Sequence, residues 1–173
     1  MTHFASVPSI GQLHENSCWA ACLAWFLKAD NDGRPSWTQK EIIKTYWRSV
    51  DQNGALFGDY SAQLWRDDQR LRMNTRVHAT PNAELDSLPL GSKPVCIAFK
   101  HITGFAHMNV IWKVDTRTVM CMEPFWPHPG RDGNRTGRMV RRDIEHFNYG
   151  DNVVLAWAVP PDGRSTSVPA DAG

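Results

Sequence analysis

The spacing of apolar residues in this chain changes at Pro94. Before it, apolar side chains recur at helical intervals, as in residues 18–27, where Trp19, Cys22 and Phe26 share one face. After it, apolar residues form short runs or alternate with polar ones, which is typical of strands. Because helices come first and antiparallel strands second, the pattern favours an α+β fold with segregated halves.

Three helices are predicted in the first half of the chain. They cover residues 18–29, 38–49 and 61–71, and a short helical turn is predicted at 82–88. Ser17 stands where the first helix needs an N-cap. Thr38 and Glu41 have the spacing of a capping box for the second helix.

Four strands are predicted in the second half of the chain. They cover residues 95–99, 107–115, 118–125 and 152–159. The second strand alternates, so that His107 and Asn109 point to one face and Met108 to the other. We expect it to form a hairpin with the third strand. The arginine-bearing segment 131–142 is predicted to be a solvated hairpin, with gating of a cleft or contact with an acidic partner as alternative roles.

The length of 173 residues suits one domain with its own hydrophobic core. Hydrophobic residues make up 42% of the chain and charged residues 21%, which is typical of a soluble globular protein. We expect residues 1–160 to form a single domain. Residues 161–173 are rich in Pro, Gly, Ser and Asp, and are predicted to be a disordered tail.

Charge and hydropathy argue against nucleic acid and membranes as partners. The net charge of +1 offers no basic surface for a polyanion. The longest apolar run, 18–27, is too short to span a bilayer, and no basic segment of a signal peptide precedes it. The expected location is therefore the cytoplasm, or the exterior of the cell reached by a signal-independent route.

The four cysteines raise the question of disulfides, metal ligation or nucleophilic chemistry. Cys18 and Cys22 lie one helical turn apart, where Cβ atoms are ~5–6 Å from each other. A disulfide needs ~3.5–4.5 Å, so these two do not bridge in an intact helix. A zinc site with His14 would need a second ligand pair, and none is present, so no metal or cofactor is expected. Cys22, Cys96 and Cys121 are interpreted as core residues.

Cys18 differs from the other cysteines because it begins a predicted helix. The unpaired N–H groups and the positive dipole end of a helix N-terminus favour a thiolate, which is the nucleophilic form. Gln12 lies six residues earlier, and its amide could join the Cys18 backbone N–H in holding an oxyanion.

His107 is the candidate base, and a base needs a third group that orients it. A hairpin centred on Thr116 and Arg117 would bring His107 close to Glu123 at the end of the next strand. Asn109 is an alternative orienting residue. Asp115 is another, although it lies at the far end of the strand.

The stretches QLHENSCWAA (12–21), GFAHMNVIWKVD (104–115) and VMCMEPFWP (119–127) together resemble papain-like cysteine peptidases. They are most similar to compact bacterial members, such as the bacteriocin-leader peptidases and the effector proteases of plant pathogens. The resemblance implies a papain-like fold, in which a helical half with the catalytic helix packs on an antiparallel sheet. It assigns Cys18 as nucleophile, His107 as general base and acid, Glu123 as orienting residue and Gln12 as oxyanion donor. Those members usually have aspartate where this chain has Glu123.

The function implied by the resemblance is a cysteine endopeptidase acting on a protein or peptide. It further suggests a bacterial effector or toxin domain, with a cognate inhibitor or immunity protein as a partner. One alternative is another amide chemistry on the same fold, such as a peptidoglycan amidase, an isopeptidase or an acyl transferase. The other alternative is a papain-like domain that binds a peptide without cutting it.

Overall fold

The structure, a computed structural model, describes residues 3–56, 58–79, 87–128, 130–150 and 152–159. The predicted tail and all but the end of the predicted helical turn at 82–88 lie outside these residues. The helices are α1 (Cys18–Asp30), α2 (Gln39–Tyr46) and α3 (Gly58–Asp67), with 3₁₀ helices at His3–Ser6 and Ile144–Phe147.

The first two helices begin at the predicted N-cap residues but are capped differently. At α2 the capping box is confirmed, since the Glu41 N–H donates to Thr38 Oγ1 and the Thr38 N–H donates to Glu41 Oε2. Ser17 does occupy the N-cap position of α1, but its side chain makes no capping bond. Its hydroxyl is instead held by the backbone of His14 in the preceding turn, so the predicted N-cap position is confirmed without a side-chain bond to the helix.

The strands are β1 (Met73–Ala79), β2 (Val95–Lys100), β3 (Ala106–Asp115), β4 (Thr118–Glu123), β5 (Arg138–Asp143) and β6 (Val153–Ala158). They form one antiparallel sheet in the order β1-β6-β2-β3-β4-β5. The predicted α+β class, with helices first and sheet second, is confirmed. The hairpin of β3 with β4 is also confirmed, with a bulge between Ile111 and Lys113.

The sequence pattern did not identify β1 and β5, the two edge strands of the sheet. β5 has the sequence RMVRRD, and most of it lies inside the segment that was predicted to be a solvated hairpin. It pairs with β4 from Thr118 to Glu123. An edge strand rich in arginine lacks the apolar alternation of a central strand, which explains the omission.

α1 crosses one face of the sheet and packs on β3. Its Trp25 ring lies 5.4 Å from the ring of Trp112, measured between centroids. The other face holds a second apolar cluster, capped by Phe147 of the 3₁₀ helix. This packing fixes the N-terminus of α1 relative to the start of β3. No helix within the described ranges is long and apolar enough to cross a membrane.

Candidate active site

A cleft of about 740 Å³ opens where the N-terminus of α1 meets the start of β3. Cys18 and His107 line it from these two elements, and Gln12 joins them from the segment before α1. Phe125, which follows β4, lies on the same wall as His107. The volume is within the range of known ligand clefts.

His107 and Glu123 form a buried hydrogen-bonded pair across the β3–β4 hairpin. Val110 pairs with Met122, so the ends of these two strands lie side by side. Nε2 of His107 is 2.7 Å from Oε1 of Glu123, and the two residues are 6% and 5% exposed. The backbone N–H of Phe125 donates to the same carboxylate oxygen at 2.8 Å.

The second oxygen of Glu123 is held by two donors from the neighbouring strands. Nδ2 of Asn109 lies 3.1 Å from Oε2, and Nη2 of Arg142 lies 2.6 Å from it. Asn109 thus contacts Glu123. Asp115, the other alternative orienting residue, is on the exposed end of β3, where it pairs with Arg141.

The interactions of this pair raise the pKa of His107 and lower the pKa of Glu123. Burial alone would lower the pKa of His107, but hydrogen bonds with Cys18 and Glu123 and their negative charges raise it to about 9. Burial alone would raise the pKa of Glu123, but the bonds from His107 and the Phe125 N–H, with the charge of Arg142, lower it to about 2. The pair therefore favours an imidazolium and a carboxylate at neutral pH.

Cys18 is half-buried at the first position of α1, and its side chain lies close enough to His107 to help raise the pKa of that ring. Since Nε2 of His107 is taken by Glu123, the ring nitrogen left for the thiol is Nδ1. The other thiols are buried, and burial raises the pKa of Cys22 and Cys96 and brings that of Cys121 to about 12. Only Cys18 combines exposure to the cleft with a histidine partner among the four.

Gln12 lies at the cleft but its amide is already engaged. Its Nε2 donates to the carbonyl oxygens of His14 and Glu15, at 2.9 and 2.5 Å. These bonds use both amide hydrogens, so an oxyanion would have to displace one of them. Among the described residues, the buried Oε1 of Gln12 has no hydrogen-bond partner. The Gln12 backbone N–H donates to the carbonyl of Pro124, which joins this segment to the end of β4.

Aromatic rings shield His107 and form the walls of the cleft. The rings of Phe105 and Phe125 meet that of His107 edge to face, with centroids 5.8 and 6.2 Å away. Trp19 also lines the cleft; it is buried, and its indole N–H donates to the carbonyl of Gly54 at 3.1 Å. Water therefore has restricted access to the His107–Glu123 bond.

The contacts of Phe125 and Arg142 with Glu123 were not predicted from the sequence pattern. The Phe125 contact follows from its place two residues after Glu123, where a backbone N–H can turn back onto the carboxylate. No local signal identifies Arg142, because its contact depends on the pairing of β5 with β4. Among the residues that the structure describes, no three His, Cys, Asp or Glu side chains are grouped as metal ligands.

Comparison with known proteins identifies the fold. No protein-family model matches the chain, and no curated protein sequence matches it. A solved structure that is similar is a double glycine motif protease from an AMS/PCAT transporter, in complex with the leader peptide. The match has a TM-score of 0.54 and 15% identity, and covers 88% of this chain and 91% of that one. The chain therefore has the papain-like fold of that protease.

Proposed function

We propose that this chain is a papain-like cysteine endopeptidase in which Cys18 is the nucleophile. The observation that carries the proposal is that Cys18 and His107 line one cleft and interact, while the buried Glu123 hydrogen-bonds to the ring of His107. A nucleophile, a base within hydrogen-bond reach and a third group that orients the base are the parts required for nucleophilic catalysis.

The mechanism follows from the roles of these three groups. The Cys18 thiolate attacks the carbonyl carbon of a peptide bond, and the His107 imidazolium gives its proton to the leaving amine. A water molecule, deprotonated by His107, then hydrolyses the thioester and frees Cys18. Glu123 keeps the ring in one orientation and stabilises its charged form throughout.

The oxyanion of the tetrahedral intermediate would form beside the N-terminus of α1. The first N–H groups of a helix have no carbonyl partner within that helix, so the Cys18 N–H is a suitable donor. We assign Gln12 as the second donor, which requires its Nε2 to leave the carbonyl of His14 or Glu15. The loss of that bond is offset by a bond to a charged acceptor, which is stronger.

The proposed substrate is a protein or peptide segment in extended form. The similar solved protease is described in complex with a leader peptide. Here the cleft has a volume of about 740 Å³, and Trp19, Phe105 and Phe125 are among the residues that line it. Apolar walls with few charges favour uncharged side chains next to the scissile bond.

Cleavage of a denatured proteome tests this proposal. The parent protein, Cys18→Ala and Cys96→Ala would each be incubated with it, and new peptide N-termini mapped by mass spectrometry. Cys96 is the matched control, since it is a buried thiol outside the cleft. We expect cleavage by the parent and the Cys96 variant alone. Equal cleavage by the Cys18 variant, or no cleavage by the parent, would contradict the proposal.

We further propose, from the sequence resemblance, that the chain is a bacterial effector or toxin domain that reaches a target cell by a signal-independent route. A peptidase of this kind would need a cognate inhibitor or immunity protein in the cell that makes it. Affinity purification of the Cys18→Ala protein from the producing cell tests this. We expect one stoichiometric partner that blocks the parent enzyme, and recovery of the protein alone would argue against it.

A further inference from the structure

Arg142 is a charged residue of an edge strand whose side chain points into the buried site. Its guanidinium donates to Glu123 Oε2 at 2.6 Å, and its side chain is only 21% exposed. The neighbouring Arg141 is 60% exposed and pairs with Asp115 at the surface. Of these two arginines, therefore, only Arg142 contacts a residue of the proposed catalytic set.

The carboxylate of Glu123 accepts four hydrogen bonds. His107 and the Phe125 N–H share Oε1, while Asn109 and Arg142 share Oε2. Four donors match the lone-pair capacity of a carboxylate, so its plane has no freedom to rotate. The side chain of glutamate has one more rotatable bond than that of aspartate. The hydrogen bonds to Oε2 prevent rotation about this extra bond.

The charges of the site also balance only when Arg142 is included. In the reactive state there would be a thiolate at Cys18, an imidazolium at His107 and a carboxylate at Glu123. These sum to one negative charge in a site where His107 and Glu123 are nearly inaccessible to water. The guanidinium cancels it, which matters because an uncompensated buried charge is strongly unfavourable.

We propose that Arg142 is a positioning residue, which holds Oε2 of Glu123 so that Oε1 stays on Nε2 of His107. The inference rests on the proposed function, in which His107 is the acid and base. Arg142 acts through Glu123 and does not line the cleft. Without it, Glu123 rotates away from His107 or takes up a proton, and in either case the imidazolium loses its acceptor.

Several titratable groups lie near His107, and their titration must be distinguished from the effect of Arg142 on the pKa of His107. They are Cys18 on α1, Glu123 on β4, His101 on the β2–β3 turn, His146 on the second 3₁₀ helix and Arg142 itself. Burial and nearby positive charges lower the pKa of His101 and bring that of His146 to about 4. Both are therefore neutral in the alkaline range, where His107 titrates.

An NMR titration of ¹⁵N-labelled histidine side chains tests the inference without a substrate. His107 would be assigned with His107→Gln and followed from pH 5 to 10 in the parent, Arg142→Met and Arg141→Met. We expect the imidazolium pKa of His107 to fall by about one unit or more in Arg142→Met and to stay unchanged in Arg141→Met. In the background of Glu123→Gln, Arg142→Met should produce no further shift.

The alternatives give different results. A merely structural role would leave the His107 titration where it is in folded Arg142→Met, and a purely electrostatic role would move it upward, because a positive charge is lost. Either result overturns the inference. Arg142→Lys keeps the positive charge and one hydrogen-bond donor, so the pKa of His107 in this variant should lie between that of the parent and that of Arg142→Met. Should Arg142→Met fail to fold by circular dichroism, Arg142→Gln is expected to show the same downward shift, and an unchanged titration there overturns the inference equally.

Kinetics on a peptide found in the proteome experiment give a second readout. We expect kcat of Arg142→Met to fall about 10- to 100-fold with KM little changed, because the residue does not touch substrate. A change confined to KM would overturn the positioning role. If the parent cleaves nothing, the peptidase proposal fails while the titration still decides the role of Arg142.

Discussion

Sγ of Cys22 donates to the main-chain carbonyl of Met108 at 3.2 Å. The donor lies one helical turn after Cys18 and the acceptor belongs to the residue after His107, so this bond joins the two elements that carry the thiol and its base. Both groups are buried, and the bond sets how closely α1 approaches β3 beside the cleft.

Cys22→Ala should therefore affect both stability and activity. The variant loses the hydrogen bond and leaves a small void, so we expect the free energy of unfolding to fall by about 1–2 kcal/mol in urea denaturation. We also expect a kcat/KM about 3- to 10-fold lower, since small displacements of reacting groups are costly. Cys96→Ala removes an equally buried thiol outside the cleft, and should lose stability but not activity. Equal activity losses would show that the bond does not set the site.

The charge of Glu123 should control the alkaline limit of activity. The pKa of His107 is raised to about 9, so activity that requires an imidazolium should decline as pH rises through that value. Glu123→Gln removes the negative partner, and we expect the alkaline limb of kcat/KM to move down by about one unit or more. The control is Glu145→Gln, which alters an exposed ion pair with Arg117. An alkaline limb that stays near pH 9 in Glu123→Gln would contradict the assignment.

The His107–Glu123 pair should also determine how the free energy of unfolding changes with pH. The folded-state pKa of His107, about 9, lies above the ordinary value of 6.5, so its contribution is complete below pH 6.5 and is lost as pH rises through 9. The pKa of Glu123 is lowered from 4.5 to about 2, so the stability that this residue contributes is complete above pH 4.5 and is lost as pH falls through 2. We expect the free energy of unfolding, measured in urea, to drop between pH 6.5 and 9 more steeply in the parent than in His107→Gln. Parallel curves would refute this linkage.

Gly11 should tolerate no side chain. A Cβ at this position would lie 1.9 Å from the carbonyl oxygen of Arg135, a backbone atom that cannot rotate away. The next residue is Gln12, so the displacement would also reach the proposed oxyanion donor. We expect Gly11→Ala to lose about 2–3 kcal/mol of unfolding free energy and to lower kcat. Ser9→Ala removes an exposed hydrogen bond to the carbonyl of Thr136, the residue after Arg135. It should change neither the unfolding free energy nor kcat much. A Gly11→Ala protein with parental stability would contradict the close packing.

The parts of the fold that were predictable are those whose pattern is local. A helical apolar stripe located α1, and short apolar or alternating runs located β2, β3, β4 and β6. The hairpin geometry of β3 and β4 then brought His107 next to Glu123, which the structure places 2.7 Å apart. Their catalytic roles, with those of Cys18 and Gln12, stay predictions.

The parts that were missed depend on partners distant in sequence. β1 and β5 are edge strands with few apolar residues, and such strands resemble loops in a hydropathy pattern. Arg142 looked like one solvated arginine among several. The register of β5 against β4 places it opposite Val119, on the same face as Glu123, and its long side chain then reaches along the sheet to the carboxylate. The engagement of the Gln12 amide by two backbone carbonyls is likewise a property of the turn before α1, which spacing alone does not reveal.

Covalent trapping tests whether Cys18 is an activated nucleophile in a peptide-binding cleft. The folded protein would be incubated at pH 7 with a library of peptidyl vinyl sulfones, and the adduct located by intact mass and peptide mapping. We expect a single adduct on Cys18, because the other three thiols are buried, with a rate at least ~100-fold lower in His107→Ala. No adduct, an adduct on another cysteine, or a rate that does not depend on His107 would show that Cys18 is not a nucleophile activated by His107.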